Sequence, residues 1–182
     1  MSRLTTVDIS RSSLFAALIA GGAFAAIPLG PVPFTLQVFA VLLAGMVLGP
    51  RLGTLSVLTY LTLGLFAPVY AGGASGLGTL LGPTGGYLLA FIPAVVLTGC
   101  VATRGAPSMP RLVAAGMLGL VPIHAVGATW LGAHLGLSAG AAVSMGVLPF
   151  VAMDAVKALL AAAVARSLVS LPLGLPAAQR DR

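Results

Sequence analysis

Charge is the scarcest property of this chain. Of its 182 residues, only 7% are Asp, Glu, Lys or Arg, and just three are acidic. A soluble domain carries about 25% charged residues. Here 59% of residues are hydrophobic, and the mean hydropathy is +1.12. These proportions exclude an ordinary soluble domain and indicate an integral membrane protein surrounded by lipid.

Side chains that carry chemistry are also few. A single cysteine, Cys100, excludes an internal disulfide and a cysteine zinc site. His124 and His134 lie in an apolar stretch, and we interpret both as packing or interfacial residues, because zinc needs three or four converging ligands. The one lysine, Lys157, is followed by Ala158, so no phosphate-binding loop is present. We predict no metal, no cofactor and no ATP hydrolysis by this chain.

Basic residues outnumber acidic ones, and the net charge is +6. A basic surface can indicate nucleic-acid binding, which depends on clustered Lys and Arg. The nine basic residues here are scattered along the chain and form no run. We therefore assign them to membrane topology and predict no nucleic-acid partner.

Apolar runs separated by Gly and Pro clusters predict an all-α membrane protein rather than a β-barrel. We expect one integral membrane domain over residues 1–182 with six transmembrane helices. The predicted spans are 14–27, 34–48, 52–66, 85–101, 112–135 and 148–165. Residues 136–147 are predicted to form a short helix or re-entrant piece, with Pro149 in the first turn of the last helix.

The arginines support this span count. They lie before the first span, between the second and third, between the fourth and fifth, and after the sixth: Arg3, Arg11, Arg51, Arg104, Arg111, Arg166, Arg180 and Arg182. With both termini in the cytoplasm, all are cytoplasmic, and the outer connections contain no Lys or Arg. The N-terminal segment also resembles a signal peptide, but the arginine pattern favours its retention as the first span of a multi-pass protein of the cell (inner) membrane.

Asp154 and Lys157 are the only charges in the apolar run 147–165. Residues three apart share one face of a helix. A charge at bilayer depth costs roughly 2.5–3.5 kcal/mol on insertion scales. The pair is therefore either a structural clasp or the polar centre of a binding site.

Depth favours a binding site near the outer surface. In a helix that begins at Leu148, Asp154 lies about 9 Å and Lys157 about 13 Å into the membrane. Gln37 and Tyr87 lie just inside the same boundary, so the four residues are candidates for substrate binding. The glycine-rich, apolar connection 67–84 between the third and fourth spans is predicted to be a lid over this pocket, with a floppy connector as the alternative.

The first span contains small residues four apart. Ala16 and Ala20 share a face, as do Ala17 and Gly21 in the neighbouring register. Small residues allow two helices to approach closely within lipid. Either internal packing or a docking face for a partner membrane protein fits this pattern.

Four segments carry a family resemblance. They are Pro-Leu-Gly-Pro-Val-Pro-Phe-Thr-Leu-Gln at 28–37, Leu-Leu-Ala-Gly-Met-Val-Leu-Gly-Pro-Arg-Leu-Gly at 42–53, Leu-Gly-Pro-Thr-Gly-Gly-Tyr-Leu at 81–88 and Leu-Pro-Phe-Val-Ala-Met-Asp-Ala-Val-Lys-Ala-Leu-Leu-Ala at 148–161. Together they resemble the BioY family, the biotin-binding S component of energy-coupling-factor (ECF) vitamin transporters. The likeness extends from about Ala16 to Ala165.

The resemblance implies a six-helix fold with an outward-facing vitamin pocket and a loop lid. It places Asp154, Lys157 and Tyr87 at the ligand, and Ala16 and Ala20 at the docking site for a transmembrane coupling protein. Two ATPase subunits would drive biotin uptake, and a homo-oligomer stays open. Some members are thought to bind the ligand through an arginine in the fourth helix, and residues 85–101 contain none.

The chemistry of biotin agrees with these residues. Its ureido ring has two N–H donors and one carbonyl acceptor, so an Asp–Lys pair matches the ring, or Lys157 takes the carboxylate tail. Two other functions stay open: an S component for another vitamin, and an intramembrane enzyme with Asp154 and Lys157 as acid and base. The sequence argues against an enzyme. It shows no nucleophile with a partner base, no metal cluster and no cofactor fingerprint.

Overall fold

The computed structural model describes residues 4–171 and 175, so Arg3, Arg180 and Arg182 lie outside the described residues. The chain is mostly helical. Its elements are α1 (Thr6–Phe24), β1 (Ile27–Leu29), β2 (Val32–Phe34), α2 (Gln37–Phe66), a 3-10 turn (Ala71–Gly73), α3 (Leu77–Leu81), α4 (Gly85–Ala102), α5 (Met109–Leu135), α6 (Ala139–Gly146) and α7 (Leu148–Ser170). Among the described residues, α1, α2, α4, α5 and α7 are long and apolar enough to cross a membrane.

The predicted first and second spans are wrong at three of their ends. A capping box between Thr5 and Asp8 starts α1 eight residues before the predicted boundary, among polar residues that hydropathy discounts. Ile27 and Phe34 belong to no helix, because they pair across the antiparallel β1–β2 hairpin. Gly30, with φ of 82°, lies in the turn of this hairpin, where a positive φ favours glycine.

Helix α2 is folded back on itself at Gly49. This residue has φ of 75° and ψ of −179°, and Pro50 starts the next segment. Gln37 Nε2 donates a hydrogen bond to the Tyr60 hydroxyl at 2.5 Å, although 23 residues of straight helix would separate them by about 35 Å. Segments 37–48 and 50–66 therefore lie antiparallel, side by side.

The remaining predicted spans differ less from the structure. Helix α4 ends one residue beyond its predicted span, α5 begins three residues earlier, and α7 continues five residues further. Residues 136–147 contain the short helix α6, capped by the Ser138 side chain. Pro149 occupies the first turn of α7.

Glycines at the helix crossings let the backbones approach closely within the core. A Cβ on Gly99 would lie 2.4 Å from the Pro50 nitrogen, and one on Gly45 would lie 2.9 Å from the Val95 carbonyl oxygen. These contacts pack α4 against both halves of α2. The core between the helices includes Leu42, Met46, Leu112 and Ile123, all at most 2% exposed.

The described segments that contain arginine lie at one end of the molecule. Ser12 Oγ donates to the Leu52 carbonyl, which joins the start of α1 to the turn at Gly49. Arg166 donates to the Pro107 carbonyl at 2.8 Å, which joins the end of α7 to the α4–α5 connection. The β hairpin, α3 and α6 lie toward the opposite end of the helices, beside the cavity described next.

Candidate functional site

A cavity of about 210 Å³ opens between the β hairpin, the 67–84 connection and helices α2, α4, α5 and α7. This volume is below the roughly 300–1,000 Å³ that is usual for drug-sized ligands, so it suits a compact small molecule. Its walls are largely apolar or aromatic, with a few polar groups among them. The lining residues are Val32, Pro33, Phe34, Thr35, Gln37, Val38, Tyr70, Ala71, Ala74, Thr79, Thr84, Tyr87, Leu88, Phe91, Ile123, His124, Phe150, Asp154 and Lys157.

The four sequence-predicted binding residues all line this cavity. Asp154 and Lys157 lie on one face of α7, and Lys157 Nζ donates to Asp154 Oδ1 at 2.7 Å. They are 4% and 5% exposed. A buried pair of opposite charges is tolerated when each partner compensates the other, and here the pair also faces open space that a ligand can enter.

Phe34 places an aromatic ring beside this pair. Lys157 Nζ lies 3.6 Å from the centre of the Phe34 ring. A cation over an aromatic face is stabilised by up to about 2 kcal/mol when water is excluded. The β hairpin therefore presents a wall of the site, which the sequence-based prediction of a helix from residue 34 had missed.

Gln37 is buried and held by two neighbours. Its Nε2 donates to the Tyr60 hydroxyl at 2.5 Å, and its Oε1 accepts from the Thr35 hydroxyl at 3.0 Å. An amide has two N–H donors and two acceptor lone pairs, so each end keeps capacity for one more bond. Gln37 is thus a fixed polar wall whose orientation is set by the protein.

Tyr87 contributes mainly its ring. Its hydroxyl donates to the Gly146 carbonyl at 2.8 Å, which ties α4 to α6. A Cβ on Gly127 would lie 2.2 Å from the Tyr87 ring, and one on Gly146 would lie 2.3 Å from its hydroxyl. The ring fits against α5 and α6 because these positions are glycine.

The 67–84 connection lines part of the cavity and is anchored by two aromatic side chains. Tyr70 is fully buried and donates to the Leu61 carbonyl at 2.7 Å, with its ring against Gly64. Trp130 Nε1 donates to the Gly82 carbonyl at 2.9 Å. These contacts argue against a floppy connector.

His124 also lines the cavity, although its sequence context predicted a packing or interfacial residue. Its Nε2 lies 3.4 Å from Asp154 Oδ2, yet neither ring nitrogen has a hydrogen-bond partner among the described residues. The sequence contained one indication of this position, which is the depth of His124 along its helix. His124 precedes the end of α5 by 11 residues, about 16 Å, a depth close to that of Lys157.

The predicted docking residues face two directions. Ala16 is 1% exposed and belongs to the core, and Ala20 packs against that core. Ala17 and Gly21 are exposed on the other side of α1. Because Ala16 is buried, this conformation favours the neighbouring register, and a docking role for α1 stays a prediction.

No group of three or more His, Cys, Asp or Glu side chains converges as a metal site within residues 4–171 and 175. The site instead offers a carboxylate, an ammonium group, an imidazole and an amide within apolar walls. Such a set suits recognition of a small molecule with both hydrogen-bond donors and acceptors.

Comparison with known proteins agrees with this geometry. Residues 1–172 match the model of the BioY family. The chain is 44% identical to a probable biotin transporter of Pyrococcus horikoshii, over 88% of this chain and 95% of that protein. It is 43% identical to a biotin transporter of Thermotoga maritima, over 90% and 96%.

A solved structure is similar as well. It is the crystal structure of the S-component for biotin from an ECF-type ABC transporter. The TM-score is 0.82 at 31% identity, and the match covers 91% of this chain and 94% of the other.

Proposed function

Because the chain belongs to the BioY family, we propose that it captures biotin for uptake as the membrane-embedded S component of an ECF-type transporter. Two relatives, 44% and 43% identical over 162 and 165 aligned residues, are named a probable biotin transporter and a biotin transporter. The similar solved structure is that of an S component for biotin. The chain is a transport protein and not an enzyme, since its family is one of transporters.

The observation that carries this proposal is the buried pair within the cavity. Asp154 and Lys157 neutralise each other at 2.7 Å, so this end of the cavity has donors and acceptors without a net charge. The ureido ring of biotin is also neutral and also has both donors and an acceptor. A carboxylate placed there would add an uncompensated charge, which is costly in a buried site. We therefore assign the ring to the pair and the anionic tail to the more open part of the cavity.

The proposed topology has six spans, with α2 contributing two. The reversal at Gly49 and the hydrogen bond between Gln37 and Tyr60 support this count. An even number of spans puts both termini on one side, and the distribution of arginine makes that side the cytoplasm. The cavity then faces outward, and the protein lies in the cytoplasmic membrane.

The proposed ECF-type transporter needs further subunits. We propose a transmembrane coupling protein and two ATPase subunits, because this chain carries no nucleotide-binding motif of its own. The exposed register of α1, with Ala17 and Gly21, is the proposed docking surface. The 67–84 connection is the proposed lid, held shut by Tyr70 and Trp130.

Equilibrium binding to the purified protein tests the function. We expect saturable biotin binding that riboflavin and thiamine do not displace, and mass spectrometry should recover biotin unchanged. Tighter binding of another vitamin would reassign the ligand. Chemical conversion of biotin by the purified chain would contradict a transport role.

A further inference from the structure

We propose that His124 is a third polar residue of the ligand site, and that its Nε2–H donates a hydrogen bond to the ureido carbonyl oxygen of biotin. This inference rests on the proposed function. It makes His124 a specificity-determining residue for the ring rather than a packing residue of α5.

The first observation is the lack of protein partners. Both ring nitrogens of His124 are buried and form no hydrogen bond within the described part of the chain. An unsatisfied buried polar atom costs about 1–3 kcal/mol, and buried polar groups in proteins nearly always have a partner. The side chain is 12% exposed and lines the cavity. A group that enters this cavity can therefore supply a partner that the described residues do not.

The second observation is the arrangement of the neighbouring carboxylate. Asp154 Oδ1 accepts from Lys157 Nζ at 2.7 Å, which leaves Oδ2 as the oxygen available to a ligand. His124 Nε2 lies 3.4 Å from Oδ2 but makes no hydrogen bond with it. An acceptor from α7 and a donor from α5 thus lie side by side at the same end of the cavity.

This spacing matches one edge of a cyclic urea. In the ureido ring, an N–H donor and the carbonyl acceptor are adjacent, so Asp154 Oδ2 can accept from the N–H while His124 donates to the oxygen. Neutral imidazole has one N–H donor and one acceptor nitrogen, and the tautomer with the proton on Nε2 satisfies this scheme. Lys157 and His124 then share the carbonyl oxygen, which has two lone pairs.

The test is binding of three ligands to the full-length protein and its His124 variants. The ligands are biotin, 2′-thiobiotin, in which a weakly accepting sulfur replaces the ureido oxygen, and biotinamide, in which the tail is uncharged. His124→Leu should weaken biotin and biotinamide binding equally, by roughly 10- to 100-fold, because the ureido oxygen would be buried without this donor. The same substitution should weaken 2′-thiobiotin binding less than about 3-fold, since the acceptor is already poor.

His124→Gln retains an N–H donor and should recover most of the biotin affinity. His134→Leu is the matched control, because it removes the exposed histidine near the end of the same helix and should leave all three affinities unchanged. If His124→Leu does not give folded protein, the ratio of biotin to 2′-thiobiotin affinity in His124→Asn and His124→Phe provides the same comparison.

Three results would overturn the assignment. The first is unchanged biotin affinity in folded His124→Leu. The second is equal losses for biotin and 2′-thiobiotin. The third is a loss for biotin but not for biotinamide, which would put His124 at the carboxylate tail. Absence of biotin binding to the wild type would instead reject the proposed function, so the two failures are distinguishable.

Discussion

Lys157 and Asp154 are held within the apolar helix α7 by each other and by their surroundings. Lys157 Nζ lies 2.7 Å from Asp154 Oδ1 and 3.6 Å from the centre of the Phe34 ring. Either charge alone would be unfavourable there by several kcal/mol. At the scale of single residues, the site is therefore a set of compensated polar groups whose remaining hydrogen-bonding capacity faces the cavity.

Removal of one partner should affect both folding and binding. Lys157→Met leaves the Asp154 carboxylate buried without its closest cation, which should destabilise the protein by about 3–5 kcal/mol. Biotin affinity should fall at least about 100-fold, equivalent to about 2.8 kcal/mol. Thermal unfolding in detergent and isothermal titration with biotin measure the two effects.

The double variant Asp154→Asn with Lys157→Met is the matched control. With neither charge present, stability should recover most of the loss, because replacement of both members of a buried pair is often neutral. Biotin affinity should stay low. Recovery of affinity together with stability would show that the pair is a structural clasp and not a ligand site.

A substitution at Tyr60 tests how much the hydrogen bond from Gln37 to its hydroxyl contributes. Tyr60→Phe removes the hydroxyl that accepts from Gln37 Nε2 and leaves a buried N–H without this partner. Stability should fall by about 1–3 kcal/mol, with a smaller effect on biotin affinity than Lys157→Met. A biotin affinity as low as that of Lys157→Met would instead make Tyr60 or Gln37 a principal ligand contact.

At the scale of elements, the break at Gly49 and the β hairpin determine where the site forms. Gly49 reverses the chain and brings the start of α2 beside its end, so Gln37 meets Tyr60. The hairpin carries Phe34 to the ion pair of α7. Without the break at Gly49, the cavity would lose the wall formed by Gln37. Without the β hairpin, Lys157 would lose its contact with the Phe34 ring.

Gly49→Ala should destabilise the fold through the backbone alone. A Cβ there would lie 3.4 Å from the Thr103 methyl group, which is ordinary contact. The φ of 75° with ψ near 180° is a conformation essentially restricted to glycine and costs about 1–3 kcal/mol for other residues. A lower midpoint of thermal unfolding measures the effect.

Gly21→Ala is the comparison for this substitution. Gly21 lies within α1, where a Cβ meets nothing within 4 Å, and alanine is the better helix former by about 1 kcal/mol. Its stability should equal or exceed that of the wild type. Equal stability of Gly49→Ala and wild type would show that the strain is relieved and that the reversal does not need glycine.

Sequence patterns predicted some elements well and others poorly, for physical reasons. The long apolar runs of α4, α5 and α7 are unambiguous, and Gly49–Pro50 marks a helix break by itself. The hairpin escaped prediction because its strands have three residues each and include Pro28 and Pro33, too short for visible alternation. The start of α1 was missed because a capping box, and not hydropathy, places it.

The site was predictable where it depends on one helix and not where it depends on several. Asp154 and Lys157 share a face by spacing alone, so their meeting could be inferred. The distance of His124 from the end of α5 gives its depth, but its approach to Asp154 depends on the packing of α5 on α7, which no local pattern encodes. In α1, equal spacing in two registers left the exposed side undetermined until the core was known to take Ala16.

At the scale of the whole molecule, binding and transport should be separable. The cavity lies among α2, α4, α5 and α7, whereas Ala17 and Gly21 lie on the exposed side of α1. A bulky residue on that side should block close approach of a partner helix without changing the cavity. One chain would then bind the vitamin and still fail to deliver it.

Ala17→Trp should therefore leave biotin affinity unchanged and reduce ATP-dependent biotin uptake at least about 10-fold in membranes that contain the proposed partner subunits. Leu159→Trp adds the same side chain at an exposed position on α7 and serves as the control. Uptake and co-purification of the partners measure the effect. Equal uptake by both variants would place the docking surface elsewhere.

The central claim is that biotin lies in the cavity with its ring against Asp154 and Lys157. A structure of the biotin complex tests this most directly. The account predicts ligand density beneath the 67–84 connection, with ring nitrogen or oxygen atoms within about 3.2 Å of both side chains. Biotin density elsewhere on the protein, or in the cavity with the carboxylate at the pair and the ring away from it, would contradict it.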